Sequence, residues 1–252
     1  MFNNFFLEPV YNIVVFFTKL SPGYDIGIAI ILTTILIKLI LLKPNLNSQR
    51  SSYLMREAQI EIEKIKEKNK NDKAKIAEET MKFYKEKKIK PFSSILILII
   101  QIPIFFALYY VFRDGVTLRP ELLYSFNTFP ENVKHLAFGF LDLAQKNIWI
   151  GVITGLSMFI LSKRQASTFK KMTDSSKKSE TKGESFQAAF AKTVQMQMTY
   201  FLPILLGASA AFLPAALGVY WTTNNILSIF QDVYIKRKLK IEEFIAKQEK
   251  GN

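Results

Sequence analysis

Hydrophobic residues form five long runs along the chain. Polar or charged stretches separate the first four, and only a tight apolar turn separates the last two. A membrane-spanning helix needs about 20 mostly apolar residues to cross roughly 30 Å of hydrocarbon. Five runs approach that length, at residues 23–43, 91–113, 148–162, 196–213 and 215–235. The pattern predicts an all-α membrane protein with a five-transmembrane-helix bundle. The short third run further indicates a tilted helix or a locally thinned bilayer.

The first 22 residues follow a different pattern. Asn4, Glu8, Asn12 and Lys19 fall on one stripe of a helix at about 100° per residue, and large apolar residues fill the other faces. This predicts an amphipathic helix that lies in the membrane interface at residues 1–22. A frayed transmembrane helix with a proline near its middle is the alternative. Because the features of a cleaved signal peptide are missing, we expect the first span to direct insertion itself.

The longest polar connection, residues 44–90, has the periodicity of helices. A narrow apolar seam repeats at spacings of three and four, at Leu54, Ala58, Ile62 and Ile65 and again at Ala77, Met81 and Tyr84. Asn69 to Asp72 is typical of a turn between the two repeats. The segment is therefore predicted to form an antiparallel helical hairpin with charged outer faces, and a solvated spacer is the alternative.

The other connections are less regular. Residues 163–195 are rich in Ser and Lys without periodicity, which predicts a mobile loop. Residues 114–147 contain scattered acidic and apolar positions, and we expect a partly folded loop there. Residues 236–252 form a basic tail after the fifth run.

The chain is strongly basic, with 34 Lys and Arg against 21 Asp and Glu. Residues 43–90, 163–195 and 236–252 together hold 28 of these basic residues, whereas the opposite side holds 5 and Lys38 lies within the first run. By the positive-inside rule, the basic segments lie in the cytoplasm, the amino end lies outside and the carboxyl end is cytoplasmic. The hairpin and tail carry enough positive charge to contact lipid headgroups or ribosomal RNA.

The sequence offers little for catalysis. With no cysteine and one histidine, it lacks a thiol nucleophile, a thiolate metal site and the residue clusters of common hydrolases. No Gly-rich phosphate loop is present. Asp25 and Asp232 lie at span ends, whereas ion-coupled transporters usually need carboxylates near the midplane. We therefore expect no enzymatic activity, no metal and no cofactor.

Every predicted span carries uncharged polar residues. Interhelical hydrogen bonding is the common explanation for any single one, but their presence in all five spans indicates a shared wet cavity. Lys38 lies within the first span, roughly 7 Å from the Lys43 end. Its ammonium group either snorkels to the cytoplasmic interface or supplies the charge of that cavity, and position alone favours neither.

Several motifs together resemble one known family. TTILIKLILLKP and the charged hairpin precede KPFSSILILIIQIPIFFALYYVFRDG, and MQMTYFLPILL and LGVYWTTNNILSIFQDVYIKRK follow later. In this order, over about residues 5–240, they resemble the YidC/Oxa family of membrane-protein insertases. The resemblance implies a five-helix core, an interfacial helix before it, and a hydrophilic groove that is open to cytoplasm and lipid but closed outside.

The resemblance also implies site residues. The family's groove arginine falls at Lys38, and lysine is more compact and loses its proton more readily when desolvated. Trp221 stands where a tyrosine is common, and the large extracytoplasmic domain of Gram-negative members is absent, as in short forms. The groove and substrate-contacting residues are expected to be Lys38, Thr34, Gln101, Tyr109, Thr154, Ser157, Tyr220, Trp221 and Asn224. Ile102 and Phe106 are expected to belong to a hydrophobic slide.

The implied function is insertion of short hydrophobic proteins and their polar tails into a bacterial-type plasma membrane, without nucleotide hydrolysis. A small-solute channel or transporter is the alternative. The expected partners are nascent membrane proteins, a translating ribosome held by the hairpin and tail, and the lipid bilayer, with a Sec translocon as a further candidate and no DNA.

Overall fold

The computed structural model describes residues 1–69, 72–90, 93–113, 116–131, 133, 136–176 and 200–249, and these are mostly helical. The helices are a π-helical turn Asn3–Leu7, α1 Glu8–Leu20, α2 Ile26–Ile40, α3 Leu42–Glu57, α4 Gln59–Lys68, α5 Lys73–Glu86, α6 Ser93–Phe112, α7 Ile148–Ser176, α8 Leu202–Phe212 and α9 Ala215–Glu249. Short 3-10 turns lie at Pro22–Tyr24 and Pro120–Leu122, and an antiparallel hairpin pairs β1 Leu136–Ala137 with β2 Leu141–Asp142.

Local sequence explains where α2 begins and ends. The Asp25 carboxylate caps its first turn by accepting hydrogen bonds from Gly27 N at 2.7 Å and Ile28 N at 3.1 Å. Pro44 lacks a backbone N–H and its ring clashes with the carbonyl of the residue four positions earlier, which is Ile40. The helix accordingly ends at Ile40, and α3 leaves at an angle of 68°.

The core lies where α1, α2, α6 and α9 meet. Its largest fully buried side chains include Tyr11 and Val14 of α1, Ile30 of α2, Leu108 of α6 and Leu217 of α9. The amino-terminal helix is thus packed against the bundle along one face. Asn12 belongs to that face and is only 4% exposed, so the polar stripe predicted from the sequence does not point wholly towards water and headgroups.

Helices α7 and α8 pack closely because small residues line their contact. A Cβ atom built on Gly151 would lie 2.5 Å from Ala211 Cβ and 2.7 Å from Gly207 O. A Cβ on Gly207 would lie 2.8 Å from the Cα of Gly155. Glycine and alanine four residues apart on both helices let backbones approach in this way within membranes.

The hairpin predicted at residues 44–90 contains three helices in the structure. Its first helix, α3, packs against α6, α7 and α9, whereas α4 and α5 pack against each other. On α5 the partly buried side chains include Ile76, Thr80, Phe83 and Tyr84, while Met81 is 46% exposed and Ala77 is also exposed. The predicted seam is therefore wrong at Ala77 and Met81, because Ile76 and Phe83 offer more apolar surface at equivalent spacing, whereas Tyr84 of that seam is partly buried as predicted. Residues 70–71 of the predicted turn lie outside the described residues.

Two other predicted segments are only partly described. Residues 163–176, expected as the start of a mobile loop, continue α7 as helix, and residues 177–195 lie outside the described residues. The same holds for residues 196–199 at the start of the predicted fourth span and for 250–252 of the tail.

Within the described ranges, no single helix combines the length and hydropathy that a membrane crossing requires. The bent pair Ile26–Ile40 and Leu42–Met55 meets that requirement together, and shorter apolar stretches cover Ile99–Phe112 and Pro203–Phe212. The number of spans expected from the sequence therefore stays a prediction.

Candidate functional site

Helix α9 carries a series of polar side chains that bond to four other helices. We call this set, with its partners, the polar column. The pairs are Tyr220 with Gln101, Thr222 with Thr154, Asn225 with Ser157, Ser228 with Lys38, Gln231 with Gln49, and Asp232 with Arg164. The partners come from α2, α3, α6 and α7, so α9 is the helix around which the polar groups assemble.

Lys38 points into the bundle and is half-buried. Its ammonium nitrogen donates a hydrogen bond to Ser228 Oγ at 2.9 Å, and Ser228 Oγ donates to the carbonyl of Asn224 at 2.8 Å. No carboxylate among the described residues forms an ion pair with Lys38. Its charge is thus met by a neutral hydroxyl rather than neutralised by an acid.

A second group of hydrogen-bonded side chains joins α7 to α9. Thr154 Oγ1 donates to Gly218 O at 3.2 Å and lies 3.0 Å from Thr222 Oγ1. Ser157 Oγ donates to Thr154 O at 2.8 Å and accepts a 3.0 Å hydrogen bond from Asn225 Nδ2. Buried polar atoms cost free energy unless they are paired, and these pairs satisfy one another across the helix contact.

Aromatic residues lie at the end of the column near the middle of α6. The Gln101 side-chain amide donates to the hydroxyl of Tyr220, which is 2% exposed. The Trp221 and Phe105 rings are stacked, with centroids 5.3 Å apart and planes within 3°. Tyr109 is half-buried and makes an edge contact with Tyr110 at 5.9 Å between centroids.

The hydroxyl of Thr34, an expected groove residue, bonds within its own helix. Thr34 is 1% exposed, and its hydroxyl donates to Ile30 O of its own helix at 2.7 Å. Asn224 contributes its backbone carbonyl to Ser228. Thr33, beside Thr34, is equally buried, and its hydroxyl has no hydrogen-bond partner among the described residues.

The two expected slide residues share an exposed face of α6. Ile102 and Phe106 are each 47% exposed and lie four residues apart, which is one helical turn. Ile99 and Tyr110 extend the same exposed stripe at similar spacing. An apolar stripe thus runs along α6, beside the helix face that supplies Gln101 to the column.

Hydrogen bonds attach the loop at residues 116–131 to α1, at the end of the bundle opposite the basic segments. Asn12 Nδ2 donates to Leu122 O at 2.7 Å, and Asn12 Oδ1 accepts from Tyr124 N at 2.9 Å and Asn127 Nδ2 at 3.2 Å. Every contact joins α1 to the loop predicted at 114–147. Asn12 is therefore the side chain that fastens this loop to the first helix.

Tyr11 makes a neighbouring attachment. Its hydroxyl donates to Thr117 O at 3.0 Å and accepts from Arg119 N at 2.9 Å. Burial raises the pKa of the Tyr11 phenol, and the hydrogen bond from the Arg119 N–H acts in the opposite direction. The phenol therefore stays neutral at ordinary pH and holds both loop backbone groups.

An ion-pair cluster occupies the basic end of the column. Asp232 Oδ2 lies 3.2 Å from Arg164 Nε and 3.1 Å from Lys236 Nζ. Lys236 Nζ also donates to the Arg164 carbonyl at 2.7 Å. This cluster joins α7 to α9 beyond Lys38, and Asp232 acts there as a structural partner of two cations.

The expected groove residues did not include Thr222, Asn225, Ser228, Gln231 or Gln49. A signal was present, because Thr222, Asn225, Ser228 and Gln231 recur at three-residue spacing and so drift slowly around one face of α9. No group of three His, Cys, Asp or Glu side chains suited to a metal ion occurs in the part of the chain that the structure describes.

Comparison with known proteins identifies the family. A family model described as "60Kd inner membrane protein" matches residues 16–243. The chain belongs to this family. A relative from Clostridium tetani, named "Membrane protein insertase YidC", is 33% identical over 218 residues, which cover 86% of this chain and 84% of that protein. The resemblance inferred from the sequence motifs is thereby confirmed.

Two further relatives with the same name are longer proteins. The Alcanivorax borkumensis protein is 31% identical over 248 residues, which are 94% of this chain and 37% of that protein. The protein from Francisella tularensis subsp. novicida is 33% identical over 213 residues, or 84% of this chain and 32% of that protein. The chain thus spans about a third of the length of these two relatives.

Proposed function

We propose that this chain is a membrane protein insertase that moves short hydrophobic proteins and their polar tails from the cytoplasm into the bilayer. The observation that carries the proposal is the polar column, in which the half-buried Lys38 bonds to Ser228 beside further polar pairs such as Asn225 with Ser157. The relatives named as insertases support the same activity.

The energetics of insertion require no nucleotide. A substrate helix of about 20 residues gains up to roughly 10 kcal/mol if each apolar residue contributes about 0.5 kcal/mol. The barrier is the passage of the polar tail through hydrocarbon, where its backbone and side chains lose their hydrogen bonds to water. A column of polar side chains lowers that barrier by offering replacement hydrogen bonds partway across.

Lys38 is proposed to hold acidic groups of the tail in transit. Its present partner, the Ser228 hydroxyl, is neutral, so an incoming carboxylate can take that place and gain charge attraction. A lysine already paired with an aspartate would offer much less, because the substrate would have to break an ion pair. Thr154, Ser157, Gln101 and Tyr220 supply the neutral part of the same path.

The apolar part of a substrate is proposed to leave along α6. Ile102 and Phe106 form an exposed stripe one turn apart, and Phe105 on the same helix stacks on Trp221 of α9. A substrate helix at this face would touch apolar side chains on its way to lipid while its tail contacts the column.

The proposed arrangement in the membrane is the one predicted from the sequence. Five spans would place the amino end outside and the basic hairpin and carboxyl tail in the cytoplasm, where ribosomes and substrates arrive. The hairpin and tail would bind ribosomes electrostatically, and this binding should weaken as salt rises. Replacing Arg237, Lys238 and Lys240 by glutamine removes three positive charges and keeps Lys236 on Asp232, so this variant should sediment less with ribosomes.

Reconstitution tests the proposed activity. Purified protein in liposomes is given a short single-span substrate, and protease protection of the substrate's translocated tail is measured. We expect protection that depends on the protein and not on nucleotide. Flux of small ions or solutes through substrate-free liposomes, without tail protection, would instead support the channel alternative.

A further inference from the structure

The β1–β2 hairpin exposes apolar side chains on the face where a water-facing hairpin carries polar ones. Ala137 and Leu141 turn inward and are at most 4% exposed. Leu136 and Phe140 turn outward, and Phe140 is 79% exposed. Phe138 is 42% exposed, but the tip of its ring lies against Gly27 of α2. Asp142, opposite Leu136, is half-buried, and its carboxylate accepts a hydrogen bond from Ala144 N at 2.9 Å. The most exposed side chains of the hairpin are thus apolar where a water-facing hairpin carries polar ones, which indicates that they meet an apolar medium.

The hairpin is held firmly against the helix ends. Asp25 Oδ2 accepts a 2.6 Å hydrogen bond from Phe138 N, so the residue that caps α2 also fixes the hairpin tip. A Cβ atom on Gly27 would lie 2.5 Å from Ala137 Cβ, so the strand approaches α2 where a side chain is missing. On its other side, Leu143 O accepts from Ala216 N at 3.1 Å.

The outward face continues a surface formed by helix ends. Trp149 in the first turn of α7 and Phe212 at the end of α8 are each 73% exposed. The backbone pairs Lys146 with Pro214 and Gln145 with Ala215, which sets both helix ends beside the hairpin. Exposed aromatic side chains at one end of a membrane bundle are typical of the interface between lipid and water.

We propose that the β1–β2 hairpin dips Leu136 and Phe140 into the outer leaflet of the bilayer, with lipid as its partner. Asp25 attaches the hairpin to α2, and Leu143 attaches it to α9. The hairpin then sets how deep this end of the bundle lies in the outer leaflet. The inference goes beyond the insertase proposal and is independent of it, since it requires only that this end of the bundle faces the outer leaflet.

Spin labelling tests the depth of the hairpin directly. The chain has no cysteine, so a single cysteine can be labelled without other changes. Phe140→Cys is compared in liposomes with Glu131→Cys, an exposed position in the same loop, and with Ile204→Cys on α8, which is 70% exposed. The measurement is relaxation of the label by oxygen, which concentrates in lipid, and by a water-soluble nickel chelate.

We expect oxygen to relax the label at position 140 more strongly than the chelate does, as at position 204, and the reverse at position 131. A label at 136 should agree with the label at 140. Labels at 136 and 140 that respond to the chelate as position 131 does would overturn the proposal and would leave the exposed tip to a soluble protein partner.

A second variant tests the anchor. Asp25→Ala in the Phe140→Cys protein removes the hydrogen bond to Phe138 N, and the label should become more mobile and more accessible to the chelate. Unchanged depth and mobility in that variant would show that Asp25 does not position the hairpin. The Phe140→Cys comparison stands on its own if Asp25→Ala fails to fold, because Phe140 is mostly exposed.

Discussion

Replacing Lys38 by glutamine separates the two interpretations of its charge. If the ammonium group serves substrates, its loss should slow insertion of substrates with acidic tails and spare neutral ones. If it merely anchors the helix at the interface, glutamine should be nearly silent, because its amide also reaches headgroups and an exposed charge contributes little.

The structure allows the size of the effect to be worked out. A carboxylate about 4 Å from the ammonium group gains about 4 kcal/mol at an effective dielectric constant of about 20. It must displace the Ser228 hydroxyl, which accepts from Lys38 at 2.9 Å, and a hydrogen bond to a charged group contributes about 1.5–3 kcal/mol. The net gain of about 1–2.5 kcal/mol corresponds to roughly a five- to seventyfold slower insertion without the charge.

The assay measures initial insertion rates for matched substrates whose translocated tails differ only in net charge, with folded protein amounts equalised. Lys38→Arg should keep the preference for acidic tails because it keeps the charge. Ser228→Ala should keep or strengthen that preference, since it removes the competing hydroxyl. Equal rates for wild type and Lys38→Gln across the whole series would refute the proposed role.

The same logic revises the expectation for Thr34. Thr34 lies one turn from Lys38 on the same helix. The sequence therefore predicts that its hydroxyl keeps the groove hydrated and that Thr34→Val slows insertion. In the structure its hydroxyl bonds to Ile30 O within α2. Thr34→Val should therefore change insertion rates little, and a loss comparable to that of Lys38→Gln would show that the threonine contacts substrate or water directly.

Three further predictions concern the fold and its orientation. Asn12→Leu leaves the backbone groups of two loop residues without partners, and at about 1–3 kcal/mol each the variant should unfold about 2–6 kcal/mol more easily in detergent. Gly151→Ala should cost about 1–3 kcal/mol through overpacking, because its Cβ would meet neighbours at 2.5 Å, whereas Gly155→Ala meets its nearest at 3.4 Å and should be tolerated. Cysteines at Lys75 and Glu131 should react with impermeant reagents only from the cytoplasmic and outer sides, respectively.

Each of these has an outcome that contradicts it. Asn4→Ala, at an exposed position before α1, is the control for Asn12, and equal stability of the two variants would mean that the loop is not fastened there. If Gly151→Ala and Gly155→Ala destabilise the protein equally, the prediction that only a side chain at position 151 is overpacked is wrong. Cytoplasmic labelling at position 131 would exclude the five-span arrangement.

Local sequence was sufficient for most helical elements but not for all of their limits, since α7 continues to Ser176 and the predicted hairpin contains α3, α4 and α5. Apolar runs predicted the helical segments, and Pro44 explains the end of α2 because a proline blocks the hydrogen bond and space that the next turn needs. The motifs also identified the family, which the comparison over residues 16–243 confirmed. These inferences succeed because they depend on residues within one or two turns of each other.

Only the tertiary structure decided which polar groups meet. Ser228 bonds to Lys38 across 190 positions, and Asn12 bonds to Leu122 across 110. Hydropathy predicts that a helix forms but not how it rotates about its axis, because rotation depends on the packing of distant segments. The close approach at Gly151 and the choice of Ile76 over Ala77 on α5 both follow from that rotation, and no local pattern in the chain specifies it.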